Sequence, residues 1–101
     1  RTVMVTGAGG SIGSELCRQI ARYRPARLVL FEICELFMYE VEMELQRSFP
    51  SLEIIPVMGD VRDQHRVEKV FSQYRPEIVF HAAAYKHVPM MEKNPAEAIL
   101  T

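Results

Sequence analysis

The sequence has no surplus of either charge: 12 lysines and arginines stand against 13 aspartates and glutamates, a formal net charge of −1. Nothing therefore points to nucleic acid or to an anionic membrane surface as a partner. Long apolar runs are also missing. Stretches such as Leu28 to Phe31 and Ile78 to Phe80 are far too short to span a bilayer. Cysteine is scarce. Cys17 and Cys34 alone make no disulfide framework and suggest reduced thiols. No low-complexity stretch or linker interrupts the chain, and no charged-then-apolar leader precedes the first apolar run, so the expectation is a cytoplasmic protein. What is present, 49% hydrophobic and 25% charged residues over 101 positions, suits one ordinary globular domain with a modest core, residues 1–101.

Strand and helix patterns alternate. Thr2 to Thr6 is a short apolar run stopped by a glycine cluster, the pattern of a buried parallel strand. From Ser11, Ile12, Leu16 and Ile20 recur with Cys17 and Ala21 beside them, which predicts an amphipathic helix ended by Pro25. Arg27 to Glu32 reads as a second strand. A helix from about Glu35 places Phe37, Val41 and Leu45 on one face and closes at Pro50. Leu52 to Val57 supplies a third strand, weakened by Pro56. Val67, Val70, Phe71 and Tyr74 mark a third helix, and Ile78 to His81 a fourth strand. Asn94-Pro95 opens a last helix that runs to Thr101, a capping residue followed by proline at the first helical position. Tyr23-Arg24-Pro25 recurs as Tyr74-Arg75-Pro76, a repeated way of leaving a helix. This alternation implies an α/β, Rossmann-like parallel sheet in order 3-2-1-4 with helices on both faces. The free edge at the fourth strand invites further pairing and self-association, so a homo-oligomer is expected.

Gly7, Gly10 and Gly13 lie between the first strand and the first helix. Glycine there lets the chain turn sharply, lets backbone approach a pyrophosphate, and lets helix pack closely on strand. The helix start then offers unpaired N–H groups and a positive dipole end, with the Ser11 hydroxyl as a further donor. Glu32 ends the second strand about 20 residues on, the offset of a ribose-binding carboxylate. A carboxylate there repels a 2′-phosphate and favours NAD over NADP. Arg18, Arg22 or a residue near Cys34 would bear on that choice, and Glu32 is also placed to cap the next helix.

The spacing Gly-x-x-Gly-x-x-Gly in Thr6 to Gly13 resembles the extended short-chain dehydrogenase/reductase superfamily. Leu30 to Glu35, Gly59-Asp60-Val61-Arg62-Asp63 and His81 to Pro89 narrow the resemblance to its polysaccharide-biosynthesis branch, the inverting nucleotide-sugar 4,6-dehydratases acting on UDP-N-acetylglucosamine. The resemblance covers nearly the whole chain. It implies that Gly7, Gly10, Ser11, Ile12 and Gly13 line the pyrophosphate and that Glu32 meets the adenosine ribose. Asp60 and Val61 would contact adenine, and Ala82, Ala83 and Ala84 would pass beneath the cofactor. Lys86 would lie at the inner edge of the site. Cys34 stands where the family carries serine. The acid–base residues of the reaction are expected after a fifth strand and the sugar in a further domain, so the UDP-sugar belongs to the full-length protein. The larger members of the family carry upstream membrane helices, so the resemblance also allows a full-length protein anchored to the inner membrane by segments outside this chain.

Other groupings carry less. His65, His81 and His87 lack metal-ligand spacing, so no metal is expected, and His81 reads as the satisfied end of a buried strand. Glu35, Glu40, Glu42 and Glu44 form a solvated face or a docking patch on the second helix. Met38, Met43, Met90 and Met91 read as packing, with Met90-Met91 as an alternative sugar-pocket or oligomer contact. Two other functions fit the same residues: the cofactor part of a related epimerase or reductase, and a non-catalytic NAD-binding module.

Overall fold

The computed structural model describes residues 1–83 together with residues 99 and 100. Its elements run β1 (Thr2–Thr6), α1 (Ser11–Arg22), β2 (Arg27–Glu32), α2 (Glu35–Ser48), β3 (Glu53–Met58), α3 (Gln64–Tyr74), β4 (Ile78–His81) and β5 (Ile99–Leu100). The sheet order is β3-β2-β1-β4-β5, parallel from β3 through β4. The expected 3-2-1-4 arrangement is therefore present, with β3 displaced by one residue from the span read in the sequence. Pro56 sits opposite Leu30 on β3. Among the described residues that strand is the sheet's edge, where a missing N–H is tolerated.

The end of the chain differs from the sequence reading. Ile99 and Leu100 pair antiparallel with Phe80 and Val79, so at these two positions the helix expected from Asn94 to Thr101 gives way to a strand. The free edge of β4 offers unpaired N–H and C=O groups, and backbone pairing there takes up Ile99 and Leu100. Residues 94–98 and 101 lie outside the described residues.

Strand parity sorts the core into two halves. Val3, Val5, Leu28 and Leu30 point to one face and pack with Cys17 and Ala21 of α1 and Met38, Val41 and Leu45 of α2. Met4, Val29, Phe31, Val57 and Val79 point to the other and meet Val70 of α3, flanked by Val67, Phe71 and Tyr74. Helices thus cover both faces, as parallel sheets require.

Two helices bury part of the expected apolar face and depart from it at single positions. In α1 the buried line is Gly13, Cys17 and Ala21, while Ile12 is 69% exposed. Small residues face the sheet because the helix lies too close to it for larger ones. In α2 Val41 and Leu45 are buried as expected, together with Met38, while Phe37 is exposed. Burial pushes the Cys17 thiol up to about 12, so it serves as a small hydrophobe. Met43, expected to pack, is 39% exposed.

The repeated Tyr-Arg-Pro has a backbone meaning. Arg24 and Arg75 both adopt left-handed φ, +53° and +49°, uncommon for a side chain bearing a Cβ. Proline at the next position disfavours the right-handed region, and both helices stop there. Leu30 is fully buried in the centre of the sheet. Leu30→Ala should cost about 2–5 kcal/mol of unfolding free energy, read as a lower urea midpoint at an unchanged slope.

Candidate cofactor site

The parallel sheet changes direction of winding between β1 and β4, and the glycine loop follows β1 at that point. In open α/β sheets the crevice outside such a switch point is where ligands bind. The loop closes as a four-residue turn, with Gly10 N donating to Gly7 O at 3.1 Å. Gly7 has φ +65°, and a Cβ on it would stand 2.6 Å from the Ala83 Cα. The segment after β4 therefore lies directly against the loop. Ala82 N donates to Thr6 O at 3.0 Å, which extends the β1–β4 ladder into the site.

Gly13 is required by packing, since a Cβ there would strike the Gly7 carbonyl oxygen and lie 2.7 Å from its carbon. Gly10 is different. A Cβ on it would meet only Gly7 O, at 3.5 Å, so the fold leaves room for a side chain. Gly10 is also the N-cap of α1, and no side chain caps that end. The first-turn N–H groups have no intrahelical partners. An uncapped helix start behind a glycine with open space suits an anionic ligand that approaches the backbone closely. Ser11 and Ile12 are exposed beside it.

Glu32 reaches this loop from the end of β2 and is only 6% exposed. Its Oε1 accepts from Gly9 N at 2.7 Å and its Oε2 from Cys34 N at 3.0 Å. Its carbonyl accepts from Gly59 N at 3.0 Å, which draws the loop after β3 to the same edge. Asp60 and Val61 follow. Val61 packs against the α3 side of the core. The Asp60 carboxylate is forked by Arg62, with Nη2 to Oδ2 at 2.8 Å and Nε to Oδ1 at 3.1 Å. That pairing holds the carboxyl below its ordinary range.

The structure thus brings Gly7, Gly10, Gly13, Glu32, Ala82 and Ala83 to one edge, with Asp60 and Val61 adjoining. Ala84 and Lys86 lie outside the described residues, as do His87, Met90 and Met91. Arg18 is engaged by Glu15 at 3.0 Å and Glu44 at 2.8 Å, so one acidic residue of α2 ties the two helices together. Sequence reasoning passed over Gly9, whose Cβ would lie 2.5 Å from the Phe37 Cβ. It also missed the Arg62 fork. A fourth glycine at a variable position inside the seven-residue pattern was the available signal for the first. An arginine two residues after the aspartate was the signal for the second.

His81 ends β4, and its Nδ1 lies 2.7 Å from Thr6 Oγ1. Among the described residues no group of three or more His, Cys, Asp and Glu side chains could hold a metal ion. No helix among them is long and apolar enough to cross a membrane.

Two outcomes follow from this geometry. Gly13→Ala should cost about 1–3 kcal/mol through forced displacement of the loop, whereas Gly10→Ala should cost about 1 kcal/mol or less. Chemical denaturation of the two variants side by side checks the contrast. Burial lowers the titration of His81, so folding favours its neutral ring. The resulting stability is present above the unfolded value of about 6.5 and is lost as pH falls through the lower folded value. Urea midpoints measured from pH 7 to 5 should fall, and fall less steeply in His81→Asn.

Comparison with known proteins agrees with this architecture. Residues 3–101 match the family model described as polysaccharide biosynthesis protein. The capsular polysaccharide biosynthesis protein CapD of Staphylococcus aureus is 45% identical over 100 residues, covering 98% of this chain and 17% of that protein. An inverting UDP-N-acetylglucosamine 4,6-dehydratase of Campylobacter jejuni is 32% identical over 102 residues, covering 100% of this chain and 29% of the enzyme. The chain thus spans less than a third of either relative. The NAD-bound UDP-glucose-4-epimerase of Stenotrophomonas maltophila superposes with a TM-score of 0.72 at 26% identity, over 96% of this chain and 28% of that one. With the 3-2-1-4 sheet, the glycine turn and a match from Val3 to Thr101, the chain belongs to the polysaccharide biosynthesis protein family.

Proposed function

We propose that this chain is the NAD-binding part of an inverting nucleotide-sugar 4,6-dehydratase acting on a UDP-N-acetylglucosamine-type substrate in surface polysaccharide biosynthesis. The observation that carries the cofactor reading is Gly10. Packing explains Gly7 and Gly13, but space for a ligand explains a glycine at the uncapped start of α1. The sugar reading rests on the named activity of the Campylobacter jejuni relative.

Gly7, Gly10, Ser11, Ile12 and Gly13 would hold the pyrophosphate with backbone N–H groups and one hydroxyl. Glu32, whose two oxygens have lone pairs beyond those used by Gly9 and Cys34, would accept from the adenosine ribose. Its charge disfavours a 2′-phosphate, hence NAD over NADP. Asp60 would accept from the adenine amine while Arg62 fixes its carboxylate, with Val61 beside the base. Ala82 and Ala83, already against the loop at Gly7, would offer a small-residue floor, continued by Ala84 and Lys86. The cofactor supplies reversible hydride acceptance, which lets the sugar lose water. Proton transfer at the sugar would fall to residues outside this chain, and the whole protein would act in the cytoplasm, free or anchored to the inner membrane, as a homo-oligomer.

A related UDP-sugar epimerase is the second reading, favoured by the structural neighbour. Incubating the full protein with UDP-N-acetylglucosamine separates them. A 4-keto-6-deoxy product inverted at C5, seen by NMR, supports the dehydratase, and a C4 epimer supports the other. For the cofactor, calorimetry should give binding of NAD tighter than NADP, and Gly10→Ala should weaken NAD about tenfold or more with little loss of stability. Absence of any heat with NAD would sink the site assignment.

A further inference from the structure

Glu32 does more in this fold than present a carboxylate to solvent. Its side chain is almost wholly buried, where a charge is costly unless donors satisfy it. Two backbone donors do so, one on each oxygen: Gly9 N at 2.7 Å and Cys34 N at 3.0 Å. Bonds of this kind, from N–H to an ionised oxygen, are the stronger class. Gly9 is held from its other side as well, because its α-carbon lies so near Phe37 that no Cβ fits. The middle of the glycine loop is thereby fastened to the start of α2 through a single carboxylate.

We propose that Glu32 is a positioning residue for the phosphate loop in addition to any ribose contact, shaping the loop for a pyrophosphate before the dinucleotide arrives. This rests on the cofactor reading above and goes beyond it. A residue serving the ribose alone has no need of Gly9. The amide of glutamine cannot replace both acceptors, since its nitrogen would face a backbone N–H. Aspartate is a methylene shorter and cannot span both donors. Removing the negative charge at this position therefore loosens the loop while it admits a 2′-phosphate, so cofactor preference and loop order are coupled in one side chain. A Glu32→Gln protein should bind NADP poorly despite the lost repulsion.

The test separates the two roles by ligand. Dissociation constants are measured for the full protein and for Glu32→Gln, with NAD and with an NAD analogue whose adenosine ribose lacks both the 2′ and 3′ hydroxyls. Both proteins are held at a temperature where circular dichroism shows them folded. If Glu32 positions the loop, Glu32→Gln weakens the analogue about tenfold, the scale of a lost hydrogen bond to a charged group. A role in ribose binding alone, or in stability alone, leaves the analogue's constant unchanged, and that result overturns the inference. Amide exchange in the cofactor-free wild-type protein gives a measurement that does not depend on the variant folding. Gly9 N–H should exchange far more slowly than in an unstructured peptide, and rapid exchange would also overturn the inference. A protected Gly9 in a protein that binds neither ligand would leave the tie as architecture and refute the cofactor reading instead.

Discussion

The distance between α1 and the end of β1 governs the rest of this edge of the molecule. Gly13 sits so close to the Gly7 carbonyl that no side chain fits between them. The buried line Gly13, Cys17 and Ala21 continues that closeness along the helix. A helix lying this low aims its first N–H groups across the mouth of β1, and Ile12 is then forced outward. The same closeness draws Ala82 and Ala83 against Gly7 from the β4 side. A larger residue at any of these positions would lift one element and open the crevice.

The two edges of the sheet are fastened differently. At the opposite edge Arg27 donates to Thr2 Oγ1 at 3.2 Å and to the Tyr74 carbonyl at 3.1 Å, and its guanidinium lies 5.9 Å from the Tyr74 ring centre. Glu77 Oε1 accepts from Thr2 N at 2.9 Å, while Glu77 N donates to Thr2 O at 2.9 Å. These contacts join β1, β2, α3 and the approach to β4, and their polar groups are spent on one another. At the carboxyl edge the polar groups are glycine amides, a helix start and carboxylates with lone pairs in reserve. Stability is concentrated at one edge and binding capacity at the other.

Strand positions and the outline of the loop were legible because they depend on local patterns. Buried parallel strands read as continuous apolar runs, and all four were placed to within a residue. Which face of a helix is buried was less legible. The apolar repeat in α1 suggested Ile12, Leu16 and Ile20, but closeness to the sheet selects smaller neighbours, and closeness is a tertiary property. Met38 packs as expected, but Phe37 is drawn out of the core because it abuts Gly9, a residue distant in sequence. At Ile99 and Leu100 the local helix pattern gives way to tertiary pairing. Asn94-Pro95 marks a helix start locally, but Ile99 and Leu100 answer to the free edge of β4. The Asp63 cap of α3, accepting from Arg66 N at 3.1 Å, is a signal of the same local kind that went unused.

The length of the glycine loop can now be accounted for residue by residue. The first two glycines of the seven-residue pattern are separated by two residues, one more than in the commoner dinucleotide fingerprint. Ala8 is fully buried in the half of the core that faces α1 and α2, and its N–H donates to Phe31 O at 3.2 Å. Gly9 donates to Glu32. One of the intervening residues therefore anchors the loop to the core and to β2, and the next ties it to the carboxylate at the end of that strand. The Gly7–Gly10 turn closes over both. A loop with a single intervening residue has no separate positions for these two ties. The added residue makes the loop longer and, through Ala8 and Gly9, more firmly held. That lets Gly10 remain bare and open at the helix start without leaving the chain around it loose.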